Sequence, residues 1–134
     1  VSYVQVVRDL YEAFGRGDVA AVLGVMEPHV EWNEAEGHPY QQVDGQPFVG
    51  PDAIMQNVFE RLRTEWDAFT VHPRDFCDAG DTVVVEGRCT GTFKATGTTL
   101  DAQYCHVFKI SNGKLASFQQ FIDTAQIQAV MGAL

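Results

Sequence analysis

The first third of the chain carries apolar residues at helical spacing. Tyr3, Val7, Leu10 and Phe14 recur at i, i+4, i+7 and i+11, one face of a helix. Gly15-Arg16-Gly17 breaks that helix, and Asp18 can cap a second by accepting from its free amides. Val19, Val22, Leu23 and Met26 give the second helix an apolar stripe, which Pro28 closes. His29 to Asn33 reads as a short strand, and Glu34 to Gly50 as a loop rich in Gly, Pro and Gln. Gly50-Pro51-Asp52 starts a third helix, because proline suits the first helical position. Ile54, Val58, Leu62 and Trp66 lie four apart along it.

The second half changes period from helix to strand. From Asp81 to Lys94, Val83, Val85, Gly87, Cys89, Gly91 and Phe93 share one side, and the other side is far more polar. Thr96-Gly97 turns the chain into a strand from Asp101 to Ile110. There Ala102, Tyr104, His106, Phe108 and Ile110 form one face. Ser111-Asn112-Gly113 is a tight hairpin turn leading into a strand from Leu115 to Ile122. Ile127, Val130, Met131 and Leu134 predict a C-terminal helix. Helices followed by a curved antiparallel meander make an α+β plan, and a helix laid in the concave face leaves a cone with an open mouth.

Length and charge narrow the picture. At 134 residues the chain fits a single domain, 1–134, and 46% apolar content supports a core without disulfides or metals. The formal net charge of −9 opposes binding to nucleic acid or to anionic membrane surfaces. No stretch approaches the roughly 20 apolar residues that span a bilayer. Val1-Ser2-Tyr3-Val4-Gln5 lacks the basic start and apolar run of a secretion signal. Cys77, Cys89 and Cys105 are odd in number, widely spaced and without a C-x-x-C pair, so reduced thiols in a cytoplasmic protein are expected.

Registering the hairpin about Thr96-Gly97 sets Cys89 opposite His106 and turns His106 toward the apolar interior. The same face of the last strand carries Ala116, Phe118, Gln120 and Ile122. His106 and Gln120 are then polar groups on an oily wall, and each must meet the other, water or a ligand. An imidazole there can serve as general acid or base, or be a core histidine satisfied by Gln120, Tyr104 or a backbone carbonyl. Trp32 can wall a pocket and stack on a flat ligand, or be ordinary core. Glu34 or Glu36, near an apolar mouth, can have a raised pKa and act as base, or be solvated loop residues. Glu34, Glu36, His38 and His106 match no metal-ligand spacing, so no metal is expected. Asp123-Thr124-Ala125-Gln126 reads as a helix capping box rather than a catalytic carboxylate. No nucleophile elbow, phosphate loop or dinucleotide fingerprint occurs, and no cofactor is expected.

Several segments together resemble a known group. They are Gly17-Asp18, Val30-Glu31-Trp32, Phe48-Val49-Gly50-Pro51-Asp52-Ala53-Ile54, His106-Val107-Phe108-Lys109-Ile110, Asn112-Gly113-Lys114-Leu115 and Phe118-Gln119-Gln120-Phe121-Ile122-Asp123-Thr124-Ala125. In these the chain resembles the SnoaL-like and ketosteroid-isomerase-related proteins of the nuclear-transport-factor-2-like superfamily. The resemblance implies a cone-shaped α+β fold, homodimeric through an outer sheet face near Gln103, Cys105, Val107, Ser117, Gln119 and Phe121. It also implies an activity drawn from isomerases, cyclases, dehydratases and epoxide hydrolases, or binding alone. In steroid isomerases the proton-shuttling aspartate falls near Trp32, the oxyanion-hole aspartate near His106, and the tyrosine near Leu10, one position from Tyr11. SnoaL-like cyclases pair a histidine, matched by His106, with an aspartate where this chain has Gln120. The Asp-Arg-Asp cluster of the epoxide hydrolases has no counterpart around Arg88.

The expectation is a cofactor-free protein binding a small hydrophobic or polycyclic molecule, with proton-transfer chemistry such as isomerisation, cyclisation or dehydration. His106 is the acid/base, assisted by Glu34 or Glu36; Trp32, Tyr104, Phe118, Gln120, Tyr11 and His38 touch the ligand. The rival expectation is a non-catalytic homodimer that binds a metabolite or serves in stress.

Overall fold

A computed structural model describes residues 2–133 of the chain. Helix α1 (Val4–Gly15) buries Val7, Leu10 and Ala13, the face its periodicity predicts. Gly17 takes a positive φ of 75°, and Asp18 then caps α2 (Val19–Gly24) by accepting from the Ala21 N–H at 3.1 Å. This helix ends earlier than expected. Met26 and Pro28 already belong to β1 (Met26–Asn33), whose edge position early in the strand tolerates a proline that lacks an N–H. Residues 34–50 also hold a short strand, β2 (Phe48–Val49), paired antiparallel with β1.

The third helical stretch is continuous but irregular: α3 (Pro51–Ile54), a π-helical turn (Met55–Phe59) and α4 (Glu60–Glu65). A π turn adds a residue to the repeat. Within it, Val58 and Phe59 are both buried. Trp66, expected on this helix, begins β3 (Trp66–Ala79) instead.

Strands β3, β4 (Thr82–Phe93), β5 (Thr98–Ser111) and β6 (Lys114–Ile122) form the antiparallel meander. The whole sheet is mixed rather than antiparallel throughout, in the order β2-β1-β6-β5-β4-β3, because β1 runs parallel to β6. Its edges do not meet, so the barrel is open. The predicted inner faces of β4 and β5 are buried along their length. The β4–β5 register differs: Cys89 faces Ala102, and Val85 faces His106. The turn is centred two residues earlier than expected, since Phe93 pairs with Thr98 directly across it. The resulting slip is even, so every side chain keeps its face. Near the start of β6 an irregular register pairs Lys109 with Ser117 but Ile110 with Leu115, which puts Leu115 rather than Ala116 in the core.

Helix α5 (Thr124–Met131) starts at Asp123, whose carboxylate accepts from the Gln126 N–H. Only half of the predicted capping box forms, because the Gln126 side chain accepts from the Asp101 N–H instead. Ile127 and Val130 of this helix are buried; Leu134, expected on the same face, lies outside the described residues. Among the described residues no helix is long and apolar enough to cross a membrane.

Candidate functional site

Helix α1 crosses the concave face of the sheet, with the π-helical turn beside it, and a cavity remains between them and the sheet. Tyr11, Trp32, Glu34, His38, His106, Phe118 and Gln120 all border it, and the rest of the wall is apolar. Its walls enclose about 650 Å³, counting the part open to solvent, and the centre of a water molecule has about 70 Å³ in which to move. A single water needs roughly 10–15 Å³ on that measure, so the space takes about five to seven waters, or one or two fused rings.

Trp32 and Phe118, one on β1 and one on β6, are direct cross-strand neighbours, and their rings stack with centroids 3.8 Å apart. They form one wall. His106 and Gln120 are also direct neighbours, on β5 and β6, yet they do not satisfy each other. The Gln120 Oε1 accepts from the Ala35 N–H at 3.2 Å, fastening the start of the 34–50 loop to the sheet. His106 turns instead to α1: its Nδ1 lies 2.7 Å from the Tyr11 Oη. The His106 Nε2 is buried and has no hydrogen-bond partner among the described residues.

Burial governs the protonation of this site. His106 is only 6% exposed, and loss of water around its charged form lowers its pKa to about 3. It is a neutral imidazole at any ordinary pH. Burial likewise drives the Tyr11 phenol far above its usual range, so Tyr11 keeps its proton. Glu34 moves the opposite way to the histidine. It is also 6% exposed, and burial raises its pKa to about 7; the Trp32 indole and Arg61 pull it down by less. The Trp32 N–H leans toward this carboxyl without closing a hydrogen bond of ordinary geometry. Cys89, which also borders the cavity, is pushed to about 12 by burial and then by the charge of Glu34, so it is a thiol and no nucleophile.

The loop that carries Glu34 is stitched down rather than loose. The Gly37 carbonyl accepts from the Gln128 Nε2 of α5 at 2.7 Å. Tyr40 is buried, donates from its hydroxyl to Glu65 at 2.9 Å and accepts there from the Trp66 indole at 3.1 Å. Its ring lies under the Arg61 guanidinium. His38 borders the cavity with its Nδ1 accepting from the Tyr40 N–H, and burial lowers its pKa to about 4.

Two expected site residues stand elsewhere. Glu36 is exposed and borders a surface groove outside the cavity. Tyr104 does not border the cavity: it stacks behind His106 at 3.9 Å and sends an unpartnered hydroxyl toward Gly87. Arg88 is paired with Asp101 at 2.7 Å on the outer face. Phe69 and Val71 of β3 also border the cavity and were not read from the sequence. Their strand lacks a steady alternation, because register shifts interrupt its pairing between Asp67 and Thr70 and again between Pro73 and Asp75. Among the described residues no group of three or more His, Cys, Asp or Glu is placed to hold a metal.

Known proteins place this geometry in a family. A structure from Burkholderia thailandensis E264, described as NTF2-like, is 37% identical, with 98% of each chain covered and a TM-score of 0.90. Another, from Burkholderia pseudomallei K96243 and described as NTF2-like of unknown function, is 27% identical over 98% of each chain, with a TM-score of 0.86. TerC, crystallised with polyporic acid, is 25% identical; 97% of this chain and 98% of that one are covered, with a TM-score of 0.84. No curated protein matches significantly. The model of the SnoaL-like domain matches residues 7–118, and with it the chain belongs to the SnoaL-like family.

Proposed function

We propose that this protein is a cofactor-free enzyme that removes and returns a proton beside a carbonyl group of a small, largely apolar substrate held in the cone. The observation that carries this reading is a buried carboxyl, Glu34, with a pKa of about 7 in the same apolar cavity as a neutral imidazole. A carboxyl poised there is a far better base than a solvated one and is still half ionised at neutral pH. Glu34, rather than His106, is the acid/base in this reading, because burial keeps His106 from taking a proton.

His106 has the complementary role. In this reading the Tyr11 hydroxyl donates to Nδ1, which leaves the imidazole hydrogen on Nε2. That N–H is the donor for the substrate oxygen. Glu34 takes the proton from the carbon next to the carbonyl; the C–H pair forms a C=C bond, and the carbonyl pair moves onto oxygen as an enolate. The His106 N–H holds the enolate oxygen in surroundings of low dielectric. Return of the proton to another carbon is isomerisation, loss of a neighbouring hydroxyl is dehydration, and attack on a second carbonyl is cyclisation. Trp32 and Phe118 hold the flat part of the substrate. The co-crystallisation of TerC with polyporic acid supports a small-molecule occupant for this type of fold.

The test uses 2-tetralone, a two-ring ketone of suitable size, in deuterated buffer, with deuterium entering beside the carbonyl followed by NMR. Exchange should speed up as pH rises through about 7, the Glu34 ionisation. Glu34→Gln should slow it by roughly 10²–10⁴-fold. His106→Phe should slow it by about 10²–10³-fold. Wild-type exchange rates in Glu34→Gln would sink the proposal. Binding of the ketone with no exchange by the wild type would favour a non-catalytic binding protein.

The same reading includes a homodimer. Phe121 is 55% exposed on the outer face of β6, beside Val107 and Cys105 of β5, and a second copy covers that apolar ground. Sedimentation should give the mass of a dimer, and Phe121→Lys should shift it toward monomer. A wild type that sediments as a monomer at every concentration removes the dimer from the reading.

A further inference from the structure

The proposed chemistry gives the Trp32 indole N–H no task. Trp32 is 7% exposed, and this N–H is buried with no hydrogen-bond partner among the described residues. Burying a donor in that way costs free energy, so folded proteins keep very few of them. Packing, not a hydrogen bond, sets where this one lies. The indole stacks on Phe118 with centroids 3.8 Å apart, and it meets the Phe59 ring edge to face at 5.4 Å. The second tryptophan differs: the Trp66 N–H donates to the Tyr40 hydroxyl at 3.1 Å.

The acceptor beside it is Glu34. Trp32 lies in β1, and Glu34 directly follows the last residue of that strand. Side chains two apart along extended chain fall on one face, and both of these border the cavity. The N–H leans toward the Glu34 carboxyl and favours its ionised form. An indole N–H donates and never accepts. A carboxylate has only acceptors, whereas a protonated carboxyl must also find a partner for its own O–H. The bond from the indole is therefore charge-assisted, and at its strongest, only when Glu34 is ionised. Arg61 acts on Glu34 through its charge, while its own Nε donates to Glu65 at 3.0 Å. Cys89 keeps its proton, and His38 and His106 on the same cavity are neutral at pH 7.

We infer that Trp32 is a positioning residue for Glu34: its indole N–H is a donor set in place by packing, and it closes on the ionised carboxylate and holds that base for proton transfer. This rests on the proposed cavity reading, in which Glu34 is the base. One carboxylate oxygen is held by the indole, and the other takes the proton from the substrate carbon. When that proton returns to carbon, the carboxylate reforms and the N–H holds it again. The bond also keeps the base available. Without it Glu34 ionises at higher pH, and the ionised fraction at neutral pH drops several-fold.

The pairing is read in the unsubstituted protein by NMR of ¹⁵N-labelled tryptophan, where Trp32 and Trp66 give the two indole signals. The Trp32 indole proton should move downfield as pH rises through about 7, the Glu34 ionisation, while the Trp66 signal stays in place. Glu34→Gln should abolish that movement. Trp32→Phe removes the N–H, keeps a ring against Phe118 and identifies the Trp32 signal by its loss. In this variant the Glu34 ionisation should rise by roughly one pH unit or more, followed by the carboxyl ¹³C signal and by the pH profile of 2-tetralone exchange. A Trp32 that serves only as wall would lower exchange at every pH and leave the midpoint in place, and that result overturns the inference. So does a Trp32 signal that stays flat while the Glu34 carboxyl titrates. A moving Trp32 signal in a wild type that exchanges no deuterium supports the pairing and overturns the enzyme reading alone.

Discussion

Glu34→Gln should make this protein more stable at alkaline pH, by up to about 3 kcal/mol, while it slows the proposed chemistry. The sign follows from proton counting. Glu34 has a pKa of about 7 in the folded chain against an ordinary 4.5. Between those values the folded state binds more protons than the unfolded state, so stability falls as pH rises. Above about pH 8 the full cost of a buried carboxylate is present. Glutamine has the shape of the protonated acid and lacks that cost. The gain should therefore be largest at pH 8, shrink through neutrality and vanish below pH 4.5, the ordinary value. Chemical denaturation of both proteins at pH 5, 6.5 and 8 reads this directly. A gain that does not grow with pH would show that Glu34 ionises normally. The histidines act on the other flank: His38 and His106 fall to about 4 and 3 on folding, so their unfolded forms take up protons first and stability falls as pH drops below about 6.5.

Gly87→Ala should cost about 2–4 kcal/mol, more than most single-methyl changes. Gly87 sits in β4 on the inner face, and its backbone dihedrals are ordinary. The constraint is space. A Cβ there would run into the His72 carbonyl and would lie 2.6 Å from the Tyr104 hydroxyl oxygen and 2.7 Å from its ring carbon. The carbonyl belongs to β3 just before its register shift between Pro73 and Asp75, so relief needs two strands to part. Tyr104→Phe alone should be neutral or mildly stabilising, because the hydroxyl it removes is buried without a partner. Combined with Gly87→Ala it should recover only a fraction of the loss, since the backbone collision remains. Full recovery in the double variant would mean that the hydroxyl, not β3, sets the limit. Because Tyr104 stacks on His106, the same shift should also weaken ketone binding in the cavity.

Much of this was written along the chain. Local periodicity determined which face of α1, β4 and β5 is buried, because a side chain's direction depends only on its place in a repeat of two or 3.6 residues. The caps at Asp18 and Asp123 and the turn at Asn112-Gly113 were legible for the same reason: their physics is contained within a few residues. An inward-facing His106 on the same wall as Gln120 also survived a four-residue error in the β4–β5 register, since an even slip preserves faces.

What the sequence could not decide is which polar group does what. The partner of His106 is Tyr11, 95 positions away, and the Gln120 side chain is taken by the Ala35 N–H, 85 positions away. The irregular β3, the parallel β1–β6 pair and the π turn likewise depend on contacts between distant segments. Protonation is the clearest case. Glu34 and Glu36 are alike in sequence, two residues apart on one loop, yet one is buried and the other exposed. Desolvation depends on everything within several ångströms in three dimensions, so only the folded chain separates a carboxyl poised near neutrality from one that faces water.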